Sequence, residues 1–225
     1  MLFLHYISVT SAYHRHHPRA IWFHCNHIPS GLWWDRLWNE VPIIQIRHLA
    51  PPEYIHGQRL AHMYHRADVA KMELLLRYGG IYLDYDVVVI NSLNPLRSYD
   101  VTIGQEKTER LNFGVVIARH GAPFLRLLHL SYKDNYRPKD WDYNCAVVAY
   151  RIYQNHSELV HVERRRLTTP DWLDRDLLWN KAIEWRDLYV VHVLGQVKTR
   201  FNPNNVRTMN NTFGQVMRFI FYREF

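Results

Sequence analysis

Asp84 and Asp86 carry the chemistry that has to be explained first. They sit in the run LLRYGGIYLDYDVVVI, residues 75–90, among Ile, Leu, Tyr and Val that otherwise read as the interior of a sheet. Burying an unpaired carboxylate costs on the order of several kcal/mol, so each needs a cation or water access. Alternate side chains of a strand share a face, so the spacing predicts that Asp84 and Asp86 point one way and Tyr85 the other. Two convergent carboxylates at a strand end can hold a hard divalent ion together with substrate phosphates and water. The bare tripeptide equally suits a solvent-facing pair at a sheet edge. A third acid lies upstream: Asp68, Met72 and Leu75 are spaced to share one helical face, which puts Asp68 on the side that packs on the sheet. Its carboxylate needs donors, and either the hydroxyls of a bound sugar or the N–H groups of a helix start would supply them.

The elements that must position these residues follow from hydrophobic periodicity. Helix-like and strand-like segments alternate, which predicts an α/β domain with a mixed, mostly parallel sheet flanked by helices. Helices are expected over residues 3–15, 31–39, 65–78, 122–136 and 144–154, with a short one in 171–179. Strands are expected at 21–25, 41–46, 81–86, 101–106, 113–118, 159–163 and 188–194. Gly79 and Gly80 close the third helix as a C-cap and lead directly into IYLDYD. The tail from Thr199 is rich in Asn and aromatics and shows little periodicity.

Composition bounds the rest. With 225 residues, 48% of them hydrophobic, the chain suffices for one sizeable core, so residues 1–225 are read as a single domain. A net charge of +7 suits an acidic partner such as a nucleotide or phosphate. The basic residues are scattered apart from Arg164, Arg165 and Arg166, which argues against nucleic acid as a partner. No run approaches the roughly 20 apolar residues that span a bilayer, and MLFLHYISVTSA lacks the basic start of a signal peptide. Cys25 and Cys145 form no metal motif and allow at most one disulfide. Asn155 and Asn210 open Asn-x-Ser/Thr sequons, acceptors in a secretory lumen.

HRADVAKMELLLRYGGIYLDYDVVVINSLNPL resembles the core of the DXD-containing sugar transferases, among them the fungal initiating α-1,6-mannosyltransferases and the animal α-1,4-galactosyltransferases, and more distantly the glucosylating clostridial toxins. The family pattern, Ala/Ser-Asp, a helix, then Gly-Gly-Ile/Val-Tyr-Leu-Asp-x-Asp, is met at Asp68, Gly79, Gly80, Ile81, Tyr82, Leu83, Asp84 and Asp86. LNFGVVIARHGAPFL and VVHVLG resemble later parts of the same pattern. The resemblance implies a GT-A (Rossmann-like) fold, a nucleotide-sugar donor, Mn2+ or Mg2+, a glycan or glycolipid acceptor, retention of anomeric configuration, and residence in the Golgi lumen. It implies Asp84 and Asp86 as catalytic metal ligands, His192 as a further ligand or diphosphate contact unless it is an ordinary core histidine, and Asp142 as an acceptor-side carboxylate unless it is a helix cap or surface acid. Asp68, Lys71, Tyr85, Asn112 and Lys198 become the substrate-binding set, with Arg200 able to replace Lys198; Asn112 could instead make only a local turn bond. Family members usually carry Arg where this chain has Lys71, which loses the bidentate fork. The family fold also opens with a strand that cradles the base, and this chain is expected to start in the helix after it. Two other readings fit the same residues: a haloacid-dehalogenase-type Mg-dependent phosphatase, in which the first Asp attacks phosphorus, and a catalytically inactive sugar-nucleotide-binding relative.

Overall fold

The computed structural model describes residues 1–194 and 201–223. In chain order the elements are α1 (Phe3–Ser11), β1 (Ile21–Cys25), α2 (Leu32–Glu40), β2 (Ile44–His48), β3 (Tyr54–Ile55), β4 (Gln58–Arg59), α3 (Met63–Tyr78), β5 (Gly80–Leu83), β6 (Val87–Val89), β7 (Val101–Gln105), β8 (Leu111–Ala118), α4 (Pro123–Asn135), α5 (Val148–Asn155), β9 (His161–Glu163), α6 (Leu177–Asn180), β10 (Val190–His192), α7 (Pro203–Arg207) and α8 (Thr212–Phe221). Among the described residues no helix is long and apolar enough to cross a membrane. The chain forms two compact units, one of Met1–Leu49, Asp84–Leu93 and Thr169–Phe225, the other of Ala50–Leu83 and Asn94–Thr168.

The first unit starts with α1, whose Phe3, Leu4, Tyr6 and Ile7 are buried. One π-helical turn, Ala12–His16, extends the helix close to the predicted end. β1 and β2 pair in parallel with α2 as their crossover, and β6 pairs antiparallel with β10. Their core gathers Leu37, Val88, Trp185, Phe213 and Met217. The tail, expected to be aperiodic, is largely helical. Phe213, Val216, Met217 and Ile220 of α8 are buried at helical spacing. Two of the asparagines that gave the tail its loop-like composition are helix N-caps. Asn202 accepts from the backbone N–H groups of Asn204 and Asn205, and Asn211 from that of Gly214.

The second unit is built on a four-stranded sheet of order β5-β8-β7-β9. A mixed α/β architecture is therefore present, but the expected predominance of parallel pairing is not. In this sheet only β7 and β9 run parallel. The loop of residues 106–110 joining β7 to β8 is too short for a crossover, so those two strands must be antiparallel. The register shifts between Ile103 and Gly104, so that Ile103 faces Val116 while Gly104 faces Asn112. Residues 113–115 of β8 bulge away from β7 in consequence. Gly104 is required there, since a Cβ would stand 2.4 Å from the Cγ2 of Thr168. Helix α3 ends as predicted at Gly79, with φ +66° and its N–H bonded to the Leu75 carbonyl.

Candidate metal centre

The strand expected over 81–86 stops at Leu83. Asp84, Tyr85 and Asp86 form a tight turn closed by the Val87 N–H donating to the Asp84 carbonyl at 3.1 Å. The alternation argument is corrected accordingly: the two carboxylates converge because the backbone turns, not because they occupy alternate strand positions. The physical reason is that the chain changes sheets here. β5 ladders with β8, whereas β6 ladders with β10, and one straight strand cannot do both.

His192 lies opposite Val87 in the β6/β10 register. The ligand atoms of Asp84, Asp86 and His192 all fall within 4.8 Å of one another, and His192 Nε2 is 3.1 Å from Asp86 Oδ1. His192 is 6% exposed and the Asp86 side chain 21% exposed, so the cluster is shielded yet reachable. Its main chain is anchored: the Asp86 carbonyl accepts from the Val193 N–H at 2.9 Å, and the Asp84 carbonyl from the Ser8 hydroxyl at 3.4 Å. Two carboxylates and an imidazole at this separation form a donor set that fits a Mn2+- or Mg2+-type ion, with room left for substrate oxygens.

Sequence reasoning missed the contribution of α1. Besides Ser8, its Ser11 hydroxyl accepts the Val89 N–H at 2.9 Å and so satisfies a strand donor. His5 packs on Tyr85 with ring centroids 5.6 Å apart. Burial lowers the His5 pKa and the N-terminal ammonium acts the same way, while the Asp86 carboxylate opposes them. The only available signal was the row of small polar residues, Ser8, Thr10 and Ser11, on a helix that is otherwise apolar. Tyr85 stacks on Phe23 at 5.4 Å and remains 43% exposed.

Asp68, Lys71, Asn112 and Asp142 lie in the second unit. Asp68 is buried, as its place on the α3 face predicted, but it stands well past the first turn of that helix, so a capping role is excluded. Its donor is Lys71, whose Nζ is 3.1 Å from Asp68 Oδ1 and also donates to the Phe113 carbonyl at 3.1 Å. The same ammonium lies 4.5 Å from the centre of the Tyr82 ring. Asn112 makes the local bond: its Oδ1 accepts the Gly114 N–H and its Nδ2 donates to Glu106. Lys71 and Asn112 thus both satisfy backbone groups that the β8 bulge leaves without ladder partners. Asp142 pairs with Arg110 at 2.9 Å and makes no side-chain cap. Cys25 and Cys145 are both free thiols. Burial pushes the Cys145 thiol well up, and the Asp68 carboxylate beside it adds to the effect. Lys198 and Arg200 lie outside the described residues.

Fold and site together define an α/β protein in which Asp84, Asp86 and His192, gathered at a sheet-switching turn, could hold a metal ion. Residues 23–103 match the family model described as "glycosyltransferase sugar-binding region containing DXD motif". The chain is 26% identical to Glucan organizing enzyme 1 of Cryptococcus neoformans var. grubii, over 95% of its own length and 63% of that protein's. It is 38% identical over 60 residues, 27% of this chain and 17% of the relative, to inositol phosphoceramide mannosyltransferase 3 of Schizosaccharomyces pombe. A 64-residue match at 41% identity to the Arabidopsis thaliana protein At4g19900 covers 27% of this chain and 10% of that one. The chain thus spans less than two thirds of the curated relatives it matches. Over residues 23–103 it is similar to the DXD-containing glycosyltransferases, and the relatives it matches include a mannosyltransferase.

Proposed function

We propose that this chain transfers a hexose from a nucleotide sugar, a UDP-hexose by preference, to a glycan or glycolipid acceptor with retention of configuration. On this reading residues 1–225 act as one GT-A-type domain in the secretory pathway, in the Golgi lumen. The observation that carries the proposal is the convergence of Asp84, Asp86 and His192 within 4.8 Å. These three residues would hold Mn2+ or Mg2+, which when bound supplies Lewis-acid stabilisation of the diphosphate leaving group. Asp86 and His192 fix the aperture through the β6/β10 ladder, and Asp84 is set by the turn and by Ser8. Breaking the bond between the sugar's anomeric carbon and the phosphate oxygen leaves negative charge on the nucleoside diphosphate, so a prearranged cation site is the group this step requires. Asp68 would accept donor-sugar hydroxyls with Lys71 holding its carboxylate in place, Asn112 and Tyr85 would contact donor or acceptor, and Lys198 would face phosphate.

The phosphatase reading loses its best support in the DWLDRD segment. Asp171 is 4% exposed, and its Oδ1 accepts the N–H groups of Leu173 and Asp174 at 3.0 and 3.1 Å, so it closes a turn. The deciding experiment incubates the protein with Mn2+ and a panel of nucleotide sugars and measures released nucleotide. UDP-hexose turnover that falls by at least about a hundredfold in Asp86→Ala is expected, since even partners of metal ligands are worth about 10–100-fold. Hydrolysis of phosphomonoesters, or turnover indifferent to Asp86→Ala, would overturn the proposal.

A further inference from the structure

The first unit holds a cavity of about 370 Å3 whose lining includes Tyr6, His14, Arg36, Glu40, Phe221 and Arg223. It lies on the opposite side of α1 from the cation clamp. Tyr6 and Thr10, one turn apart, face the cavity, whereas Ser8, which bonds the Asp84 carbonyl, stands about 160° away around a helix of about 3.6 residues per turn.

The charges in this cavity do not balance. Among the described residues that line it the one carboxylate, Glu40, already accepts from the Tyr6 hydroxyl at 2.5 Å and from Arg36 Nε at 2.6 Å. Arg36 spreads its guanidinium over the rings of Phe221 and Tyr6, at 4.9 and 5.2 Å, which holds its plane in one orientation. Arg223 then adds a second guanidinium that no carboxylate among the described residues neutralises. Its field is felt at His14, whose pKa is lowered first by burial and next by Arg223.

The backbone adds a second observation. Arg223 follows α8 at φ +56°, the left-handed position after a helix end where glycine is the usual residue. A long cationic side chain therefore stands at a backbone conformation that glycine adopts with less strain.

We propose that this cavity is a second anion site that binds a phosphate-type oxyanion between Arg223 and Arg36, with the Tyr6 and His14 side chains as further polar walls. Guanidinium forks match tetrahedral oxyanions in bidentate fashion, and the aromatic wall of Phe221 and Tyr6 excludes water from one side. The site is separate from donor chemistry and does not depend on the transferase reading.

The test uses the full chain with EDTA present, so that the clamp binds no ion, and titrates inorganic phosphate by calorimetry. Saturable single-site binding is expected, unchanged in Asp86→Ala and weakened at least tenfold in Arg223→Gly. Arg223→Lys, which keeps the charge and loses the fork, should fall between the two. Arg223→Gly suits the helix end, so its melting temperature without phosphate should be equal to or above the parent's, which separates lost binding from lost folding. The idea is overturned if phosphate binds Arg223→Gly as tightly as the parent, if Asp86→Ala abolishes binding, or if no saturable binding occurs.

Discussion

Replacing Lys71 by methionine should be among the most damaging single changes in the second unit, and adding Asp68→Leu should largely repair it. Both side chains are enclosed, with 5% of Lys71 and 9% of Asp68 exposed. At their 3.1 Å separation an effective dielectric of about 20 gives an attraction of about 5 kcal/mol, comparable to what it costs to desolvate two ions. The pair is therefore close to neutral overall, whereas breaking it leaves a buried carboxylate beside Tyr132 and Cys145 without its cation. Lys71→Met is expected to cost about 3–5 kcal/mol, or about 6–20 °C of melting temperature for a chain of this size. The double variant removes both charges but still orphans the Phe113 carbonyl that Lys71 serves in the β8 bulge, so it should lie about 1–2 kcal/mol below the parent. Urea unfolding followed by tryptophan fluorescence closes the double-mutant cycle. A Lys71→Met penalty under about 1 kcal/mol, or a double variant worse than either single one, would refute the reasoning. The repaired variant also separates folding from function: if Asp68 holds donor hydroxyls, it must stay folded and still show a raised KM for the nucleotide sugar.

Mn2+ titration monitored by electron paramagnetic resonance should show one strong site in the parent and its loss in Asp86→Ala or His192→Ala; unchanged Mn2+ affinity in both would remove the clamp. Gly104→Ala places a methyl 2.4 Å from the Thr168 side chain and should destabilise by about 1–3 kcal/mol, which calorimetry would detect. Ellman's reagent at pH 8 should titrate one thiol, Cys25, in the native protein and both in urea, because Cys145 is buried and its thiol is held protonated. A raised native pKa means that the unfolded chain loses this proton first. Stability should therefore fall as pH rises past about 8.5, by up to about 1.4 kcal/mol per unit, and Cys145→Ala should flatten that slope.

What could be read from residue types alone was the chemistry of the site rather than its geometry. The Gly79 helix end and the burial of Asp68 rest on local rules and are found where those rules put them, whereas Asp84 and Asp86 converge at a turn and not along a strand. The turn at Asp84 was not legible, because an apolar run from Ile81 to Ile90 reads the same whether it serves one sheet or two. Strand partners distant in sequence, β8 for one half and β10 for the other, decide that question. The main-chain partners of Lys71 and Asn112 were not legible for the same reason: besides the Asp68 and Glu106 side chains they serve groups exposed by a register shift, and no periodicity reports a shift. The α8 helix was legible in principle from Phe213, Val216, Met217 and Ile220, but its asparagine caps gave the segment the composition of a loop.

The sheet switch is also what makes the clamp workable. In a continuous strand Asp84 and Asp86 would be separated by two rises of about 3.3 Å, and their carboxylates would be parallel rather than convergent. An octahedral ion of the Mg2+ type, with bonds of about 2.1 Å, needs neighbouring oxygens about 3 Å apart. The turn shortens the span, and β10 then brings His192 Nε2 to 3.1 Å from Asp86 Oδ1, the separation that two adjacent ligands of one ion require. Three segments far apart in the chain, α1 through Ser8, the turn itself and β10, each fix one side of the opening. Such a site cannot be widened or narrowed by changing one loop, so on the proposed transferase reading donor and acceptor choice would be tuned by residues outside these three while the cation geometry is preserved.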